Sequence, residues 1–253
     1  MDLKKALTGN KKGISSFTLR IIGFIFTFLD CLFVSGLGRN WMLSMRWAAF
    51  PIFAYLLAEG YEKTLNRRLY LRRLALFTLV AEVPYDLMCF AQPLRWQSQS
   101  VMVTLLIGYV CIWLIDIIRR KIDNLVVTIL AIIGVTWVGT AVGDYAHAFF
   151  YKYGIMIIVL FYVANHVPYK KLPEAALFVY LGFFISTETA FSLAIGGIMY
   201  EFPRQVFSLL ALVFIWLYNG ERGPNRMVYR ISFYLVYPAI MLILTLARII
   251  LLK

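Results

Sequence analysis

Nine apolar runs of about 16–22 residues follow one another along this chain, separated by short polar segments. A helix needs about 20 such residues to cross the ~30 Å hydrocarbon core of a bilayer. The runs lie at roughly 17–37, 41–62, 71–91, 101–118, 124–142, 151–166, 174–192, 204–219 and 231–251. Lipid cannot pair with backbone N–H and C=O groups, so each run is expected to be helical. The runs are too long for membrane strands and lack alternation, so strands are not expected. Composition agrees: 62% of residues are hydrophobic and 15% charged, against roughly 45–50% and about 25% in soluble domains. The expected fold is all-α, a polytopic transmembrane helix bundle of about nine spans. A basic cytoplasmic segment over 1–16 precedes a single membrane domain over 17–253.

The formal net charge of +12 would suit nucleic acid if the cations formed a stripe, but they occupy short loops and span ends. Lys4, Lys5, Lys11, Lys12 and Arg20 precede or begin span one, and Arg39 alone follows it. Lys63, Arg67, Arg68, Arg72 and Arg73 follow span two, then Arg95 alone, then Arg119, Arg120 and Lys121. The alternation continues to the end of the chain. Basic loops stay in the cytoplasm, so the N-terminus is expected there, the C-terminus outside, and the chain in a plasma (inner) membrane. The first run has no small-residue cleavage site after it and reads as a retained helix rather than a signal peptide. Cys31, Cys89 and Cys111 fall inside apolar runs without metal-ligand spacing, so neither a metal site nor a disulfide framework is expected.

An ionisable group inside a span costs at least ~2.5–3.5 kcal/mol and is a functional candidate by default. Asp30 falls in span one, Arg46 near the outer end of span two, and Glu82 and Asp86 in the outer half of span three. Glu82 and Asp86 are four residues apart and share a helix face. With alternating span direction, all four lie in the outer half of the membrane. They are expected to form one connected polar cluster, Arg46 pairing with one carboxylate. The remaining acids could serve as general acid or base, and a proton-coupled carrier would want the same arrangement. Glu59, Glu62 and Asp116 sit at inner span ends and are expected to pair with loop cations. His147, after Asp144 and Tyr145 in an outer loop, and His166, at an inner span end, are lesser candidates. No phosphate loop, nucleophile elbow or dinucleotide-binding glycine pattern occurs.

The stretches RWAAFPIFAYLLAEGY (46–61), AEVPYDL (81–87), SQSVMVTLLIGY (98–109), GDYAHAFFYKYGI (143–155) and FYLVYPAIMLIL (233–244) together resemble the TraX family of membrane proteins. The resemblance implies acyl transfer from acetyl-CoA, a cytoplasmic donor not held as a tight cofactor, to a peptide or glycan acceptor across the membrane. Asp30, Arg46, Pro51, Glu59, Glu82, Pro84, Asp86, Gln99 and Asp144 fall on the family's polar pattern. Asp30, Cys31, Arg46, Glu82 and Asp86 are the implied catalytic set, and Gln99, Asp144, Tyr145 and His147 the implied acceptor contacts. Arg67, Arg68, Arg72 and Arg73 would meet the donor phosphates. Two positions depart: the family's Asp-His is Asp30-Cys31 here, and its Tyr-Pro-X-His is Tyr237-Pro238-Ala239-Ile240. Both departures remove a base. Cys31 could carry an acyl thioester or be an inert buried thiol. Two further functions therefore stay open, a non-catalytic relative that binds a peptide or partner membrane protein, and a small proton-coupled carrier.

Overall fold

The computed structural model describes residues 13–184, 189–195, 198–223 and 227–251. Nine α-helices form among them: α1 (Ser16–Val34), α2 (Met45–Lys63), α3 (Arg67–Phe90), α4 (Val101–Lys121), α5 (Leu125–Tyr145), α6 (Tyr151–Ala164), α7 (Lys171–Phe184), α8 (Ser208–Trp216) and α9 (Met227–Leu251). Short 3-10 turns at Asn40–Ser44 and Arg204–Phe207 lead into α2 and α8. By length and composition, α1, α4, α5 and the unit Asn40–Lys63 each qualify as a membrane span. The chain is thus a helical membrane protein in which four of the nine expected crossings stand on length and apolarity alone. α3 is long enough but carries Arg67, Arg68, Arg72, Arg73, Glu82 and Asp86. At 1.5 Å per residue α8 extends only ~14 Å. The basic segment expected over 1–16 falls almost wholly outside the described residues.

The seventh predicted span, 174–192, is corrected. Its helix ends at Phe184, and Thr189–Ile195 is instead a strand, β1, antiparallel to β2 (Ile198–Pro203). Phe191 pairs with Phe202, their rings stacked 5.0 Å apart. Thr189 Oγ1 donates to Glu201 Oε2 at 3.0 Å. The β-branched and aromatic residues flanking Gly196-Gly197 in the sequence are a hairpin signal, which the apolar length of the run concealed.

α2 is the central helix. It packs on α1, α4, α6 and α8, and most of its residues are buried. Small residues bring the helices close, as expected where lipid gives no hydrophobic drive to association. A Cβ on Gly154 would lie 2.6 Å from Thr104 Cγ2, and one on Gly108 would lie 2.3 Å from Ile158 Cδ1. α5 is peripheral, its exposed face lined by Leu125, Ile129, Leu130, Ile133 and Trp137.

The basic helix ends converge on one side. Side chains cap three helix starts there: Ser15 accepts from Thr18 N, Asn66 from Leu69 N, and Asn124 from Val126 N and Val127 N. Each cap satisfies a backbone donor left free in the first turn. Asp116 accepts hydrogen bonds from Tyr61 OH (2.9 Å), Tyr162 OH (3.2 Å), Arg120 Nε (2.9 Å) and Arg67 Nη1. Lys63 donates to Glu59 at 2.6 Å, and Glu59 also accepts from Tyr218 OH. Glu59 and Asp116 thus pair with basic neighbours, as the sequence leads one to expect, and join α2, α3, α4, α6 and the end of α8.

Candidate functional site

A cavity of about 1280 Å³ runs along the inside of α1, α2 and α3. Its α1 wall is the stripe Ser16, Phe17, Arg20, Phe24, Thr27, Asp30, Cys31 and Val34, the three- and four-residue spacing of one helix face. The α3 wall runs from Leu69, Tyr70 and Arg73 to Tyr85, Met88 and Cys89, and α2 supplies Arg46 through Lys63. Val101, Met102 and Leu105 of α4 and Tyr237 and Met241 of α9 complete it. From Arg20 to Asp30 along α1 is ~15 Å, and from Lys63 to Arg46 along α2 is ~25 Å. One space therefore reaches from the basic side of the bundle deep toward the opposite side.

At the far end Arg46 Nε donates to Asp30 Oδ1 at 2.9 Å. The guanidinium also sits 5.1 Å from the centre of the Phe149 ring. Phe149 is held by Thr104, whose hydroxyl donates to its carbonyl. Cys31 lies beside Asp30, 2% exposed, in an apolar cluster with Tyr85, Met88, Met241 and Leu244, against which Cys89, Tyr237 and Ile240 pack. Cys31 and Ile240, the two positions at which the resemblance implies histidines, therefore belong to one cluster.

The expected four-residue cluster is divided. Arg46 meets Asp30, but Glu82 and Asp86 bond to the loop before α4 and line no part of the cavity. Glu82 accepts from Ser100 N at 3.2 Å and Ser100 Oγ at 2.5 Å. Ser100 is the residue that precedes α4 and makes no side-chain cap of its own, so the carboxylate sits at the helix start, where the positive end of the helix dipole stabilises it. Asp86, 2% exposed, accepts from Arg95 N at 2.7 Å. Its other oxygen has no hydrogen-bond partner among the described residues. The four residues expected at one depth therefore fall into two groups, Asp30 and Arg46 on the cavity and Glu82 and Asp86 on the loop before α4.

The implied acceptor residues are placed outside the cavity. Gln99 is buried, with its backbone N–H donating to His147 O at 3.0 Å and its side-chain amide to Arg95 O at 3.4 Å. Asp144, Tyr145 and His147 are exposed. In their place Ser98, Tyr85, Phe90, Phe149, Phe150 and Tyr237 line the far end. The implied donor arginines also separate. Only Arg73 lines the cavity; Arg67 is bound to Asp116, Arg68 lines a neighbouring groove, and Arg72 is exposed. Arg20, Lys63 and Arg222 join Arg73 at the basic mouth, with Glu59 the one described carboxylate among them. Their sequence signal was weak, because basic residues at inner span ends are explained by orientation alone. Among the described residues no group of histidines, cysteines and carboxylates is placed to hold a metal ion.

No curated protein and no solved structure matches the chain. The family model described as TraX protein matches residues 15–248, a span that contains every wall of the cavity. Over nearly its whole length, then, this helical membrane protein is a member of the TraX family.

Proposed function

We propose that the protein transfers an acyl group, with acetyl as the expected case, from a cytoplasmic acyl-CoA to a peptide or glycan acceptor on the other side of the membrane. The observation that carries this reading is the single cavity joining a cationic mouth to the Asp30–Arg46 pair. A donor with phosphates is drawn to Arg20, Lys63, Arg73 and Arg222, since charge-assisted bonds to phosphate are the strong ones. Its acyl thioester then reaches the ion pair without leaving the protein, and the acceptor approaches from the far end past Ser98, Tyr85 and Tyr237.

The transfer is a direct displacement. The acceptor nitrogen or oxygen attacks the thioester carbonyl and loses its proton to the Asp30 carboxylate, as a general base requires. The Arg46 guanidinium supports the charge that gathers on the carbonyl oxygen, the oxyanion role. Collapse of the adduct breaks the C–S bond, and the departing CoA thiolate takes the proton back through Asp30. Cys31 is packed among Met88, Met241 and Leu244, so this reading gives it a packing role and routes no acyl group through it. Plasma-membrane placement with the basic face in the cytoplasm completes the reading.

The test uses the purified protein in liposomes, with [¹⁴C]acetyl-CoA on the basic side and an amine- or hydroxyl-bearing peptide or oligosaccharide on the other. Label transfer that Asp30→Asn abolishes supports the reading. Tight acetyl-CoA binding without turnover would instead make this a binding-only relative. Proton flux without acyl transfer would make it a carrier.

A further inference from the structure

Beside the cavity mouth lies a second concavity of about 830 Å³, lined by Glu62, Thr64, Leu65, Asn66, Arg67, Arg68, Trp113, Ile117 and Arg120. Thr64 and Asn66 line both spaces, so the groove adjoins the basic end of the cavity. We infer that this groove holds the purine nucleotide portion of the donor, with the thiol-bearing arm turning past Thr64 and Asn66 into the cavity. The inference rests on the acyl-transfer reading and adds where, and by which residues, the nucleotide is recognised.

The groove has the chemistry such a group needs. Arg68 is exposed, and its guanidinium can take a phosphate in the two-pronged geometry that favours arginine at such sites. Arg120 keeps one nitrogen on Asp116, with Nε donating at 2.9 Å, while its side chain is 65% exposed and borders the groove. The Asp116 network with Tyr61, Tyr162 and Arg67 thus fixes the base of the Arg120 side chain without using its tip. Trp113 is half-buried and Ile117 lies one turn on, giving an aromatic and aliphatic wall for a flat base. Glu62 is the carboxylate of the groove and can accept hydrogen bonds from ribose hydroxyls. Its described partners are Asn165 Nδ2 at 3.5 Å and His166 Nδ1 at 3.7 Å.

Two groups of cations then have separate tasks. Arg68 and Arg120 meet the phosphate on the nucleotide ribose, and Arg20, Lys63, Arg73 and Arg222 meet the diphosphate where the arm begins. The ~15–25 Å of helix between this mouth and the Asp30–Arg46 pair is of the order of an extended pantetheine arm. A simple phosphate site would need only the second group; a groove with Trp113 and Arg68 beside it points to a nucleotide carrying a phosphate of its own.

The experiment measures binding of acetyl-CoA, dephospho-CoA, adenosine 3′,5′-bisphosphate and ATP to the purified full chain by titration calorimetry. Adenosine 3′,5′-bisphosphate should bind and compete with acetyl-CoA, and dephospho-CoA should bind at least about tenfold more weakly than acetyl-CoA, because it lacks the phosphate that Arg68 and Arg120 meet. Arg68→Gln should weaken acetyl-CoA about tenfold and narrow its advantage over dephospho-CoA, while Arg68→Lys retains part of it. Trp113→Leu should weaken the bisphosphate and acetyl-CoA alike. If acetyl-CoA binds but Arg68→Gln and Trp113→Leu leave all four affinities unchanged, the groove is not the nucleotide site. If the parent binds none of the four ligands, the acyl-CoA reading itself fails, and with it this assignment. Equal binding of ATP and the bisphosphate would overturn the claim that the ribose phosphate is recognised.

Discussion

Arg46→Met tests the far end of the cavity with the least change of shape. Methionine keeps an unbranched chain near Phe149 and removes the guanidinium. The 2.9 Å bond to Asp30 is lost, and Asp30, whose side chain is only 15% exposed, is left without its cation. Removing one member of a buried ion pair costs ~3–5 kcal/mol. Both side chains border the cavity, so the expected loss is at the lower end, ~3 kcal/mol, because solvent there screens part of the exposed charge. In a chain of this size 1 kcal/mol shifts Tm by roughly 2–4 °C, giving a fall of about 6–12 °C. Asp30→Asn in the Arg46→Met background removes the stranded charge while keeping its outline, and should restore most of the loss. Such a favourable coupling is the signature of a direct pair in a double-mutant cycle. The assay is thermal unfolding of the four proteins in one detergent, followed by tryptophan fluorescence. An Arg46→Met protein melting within 2 °C of the parent (roughly the 1 kcal/mol scale) would refute the argument. So would an Asp30→Asn loss that simply adds to the first.

Three other outcomes follow from the structure. Glu82→Ala strands Ser100 N and Oγ at the start of α4 and should lower stability by ~1–2 kcal/mol, read by the same melts, whereas Glu82→Gln should lose less. Cys31→Ser should leave acyl transfer within a few-fold of the parent; complete loss with retained folding and donor binding would instead establish the thioester route. Cysteine substitutions near Arg95 or Ala146 should react with an impermeant maleimide added outside intact cells, and substitutions near Arg67 or Arg120 should not; the opposite pattern would invert the protein.

Helix positions were readable because lipid imposes a length and a composition on each run. The predicted ends of the fourth run, 101–118, and the observed Val101–Lys121 differ only where Arg119, Arg120 and Lys121 leave the apolar stretch but continue the helix. The hairpin was not readable from apolarity, since Ala190–Ile195 is as apolar as a span. Glu188, inside the seventh predicted run, was the warning. At the site, an ion pair between Arg46 and one of the acids was expected from their shared depth, and the structure identifies that acid as Asp30. Glu82 and Asp86 were expected at that same depth, but backbone donors at Ser100 and Arg95 captured them, and no spacing rule reveals which way a face of α3 turns. The aromatic lining at Phe149 and Phe150 was hidden for another reason. Aromatic residues near span ends ordinarily mark the membrane interface, and only the left-handed backbone at Phe150 (φ 63°) and the Thr104 bond turn this pair inward.

The wall that α9 supplies has a consequence for how the protein is made. α9 packs on both α1 and α3, and it leaves the ribosome after every other described helix. Until then Asp30, Cys31, Tyr85 and Cys89 border a trough that lacks Tyr237 and Met241. The nascent chain must therefore carry Asp30 through insertion with Arg46, sixteen residues later, as its early counter-charge, while closure waits for a contact spanning most of the sequence. Such distant closures are slow steps of assembly. A nascent chain short of α9 holds its ion pair but leaves the trough open on the side that Tyr237 and Met241 later close.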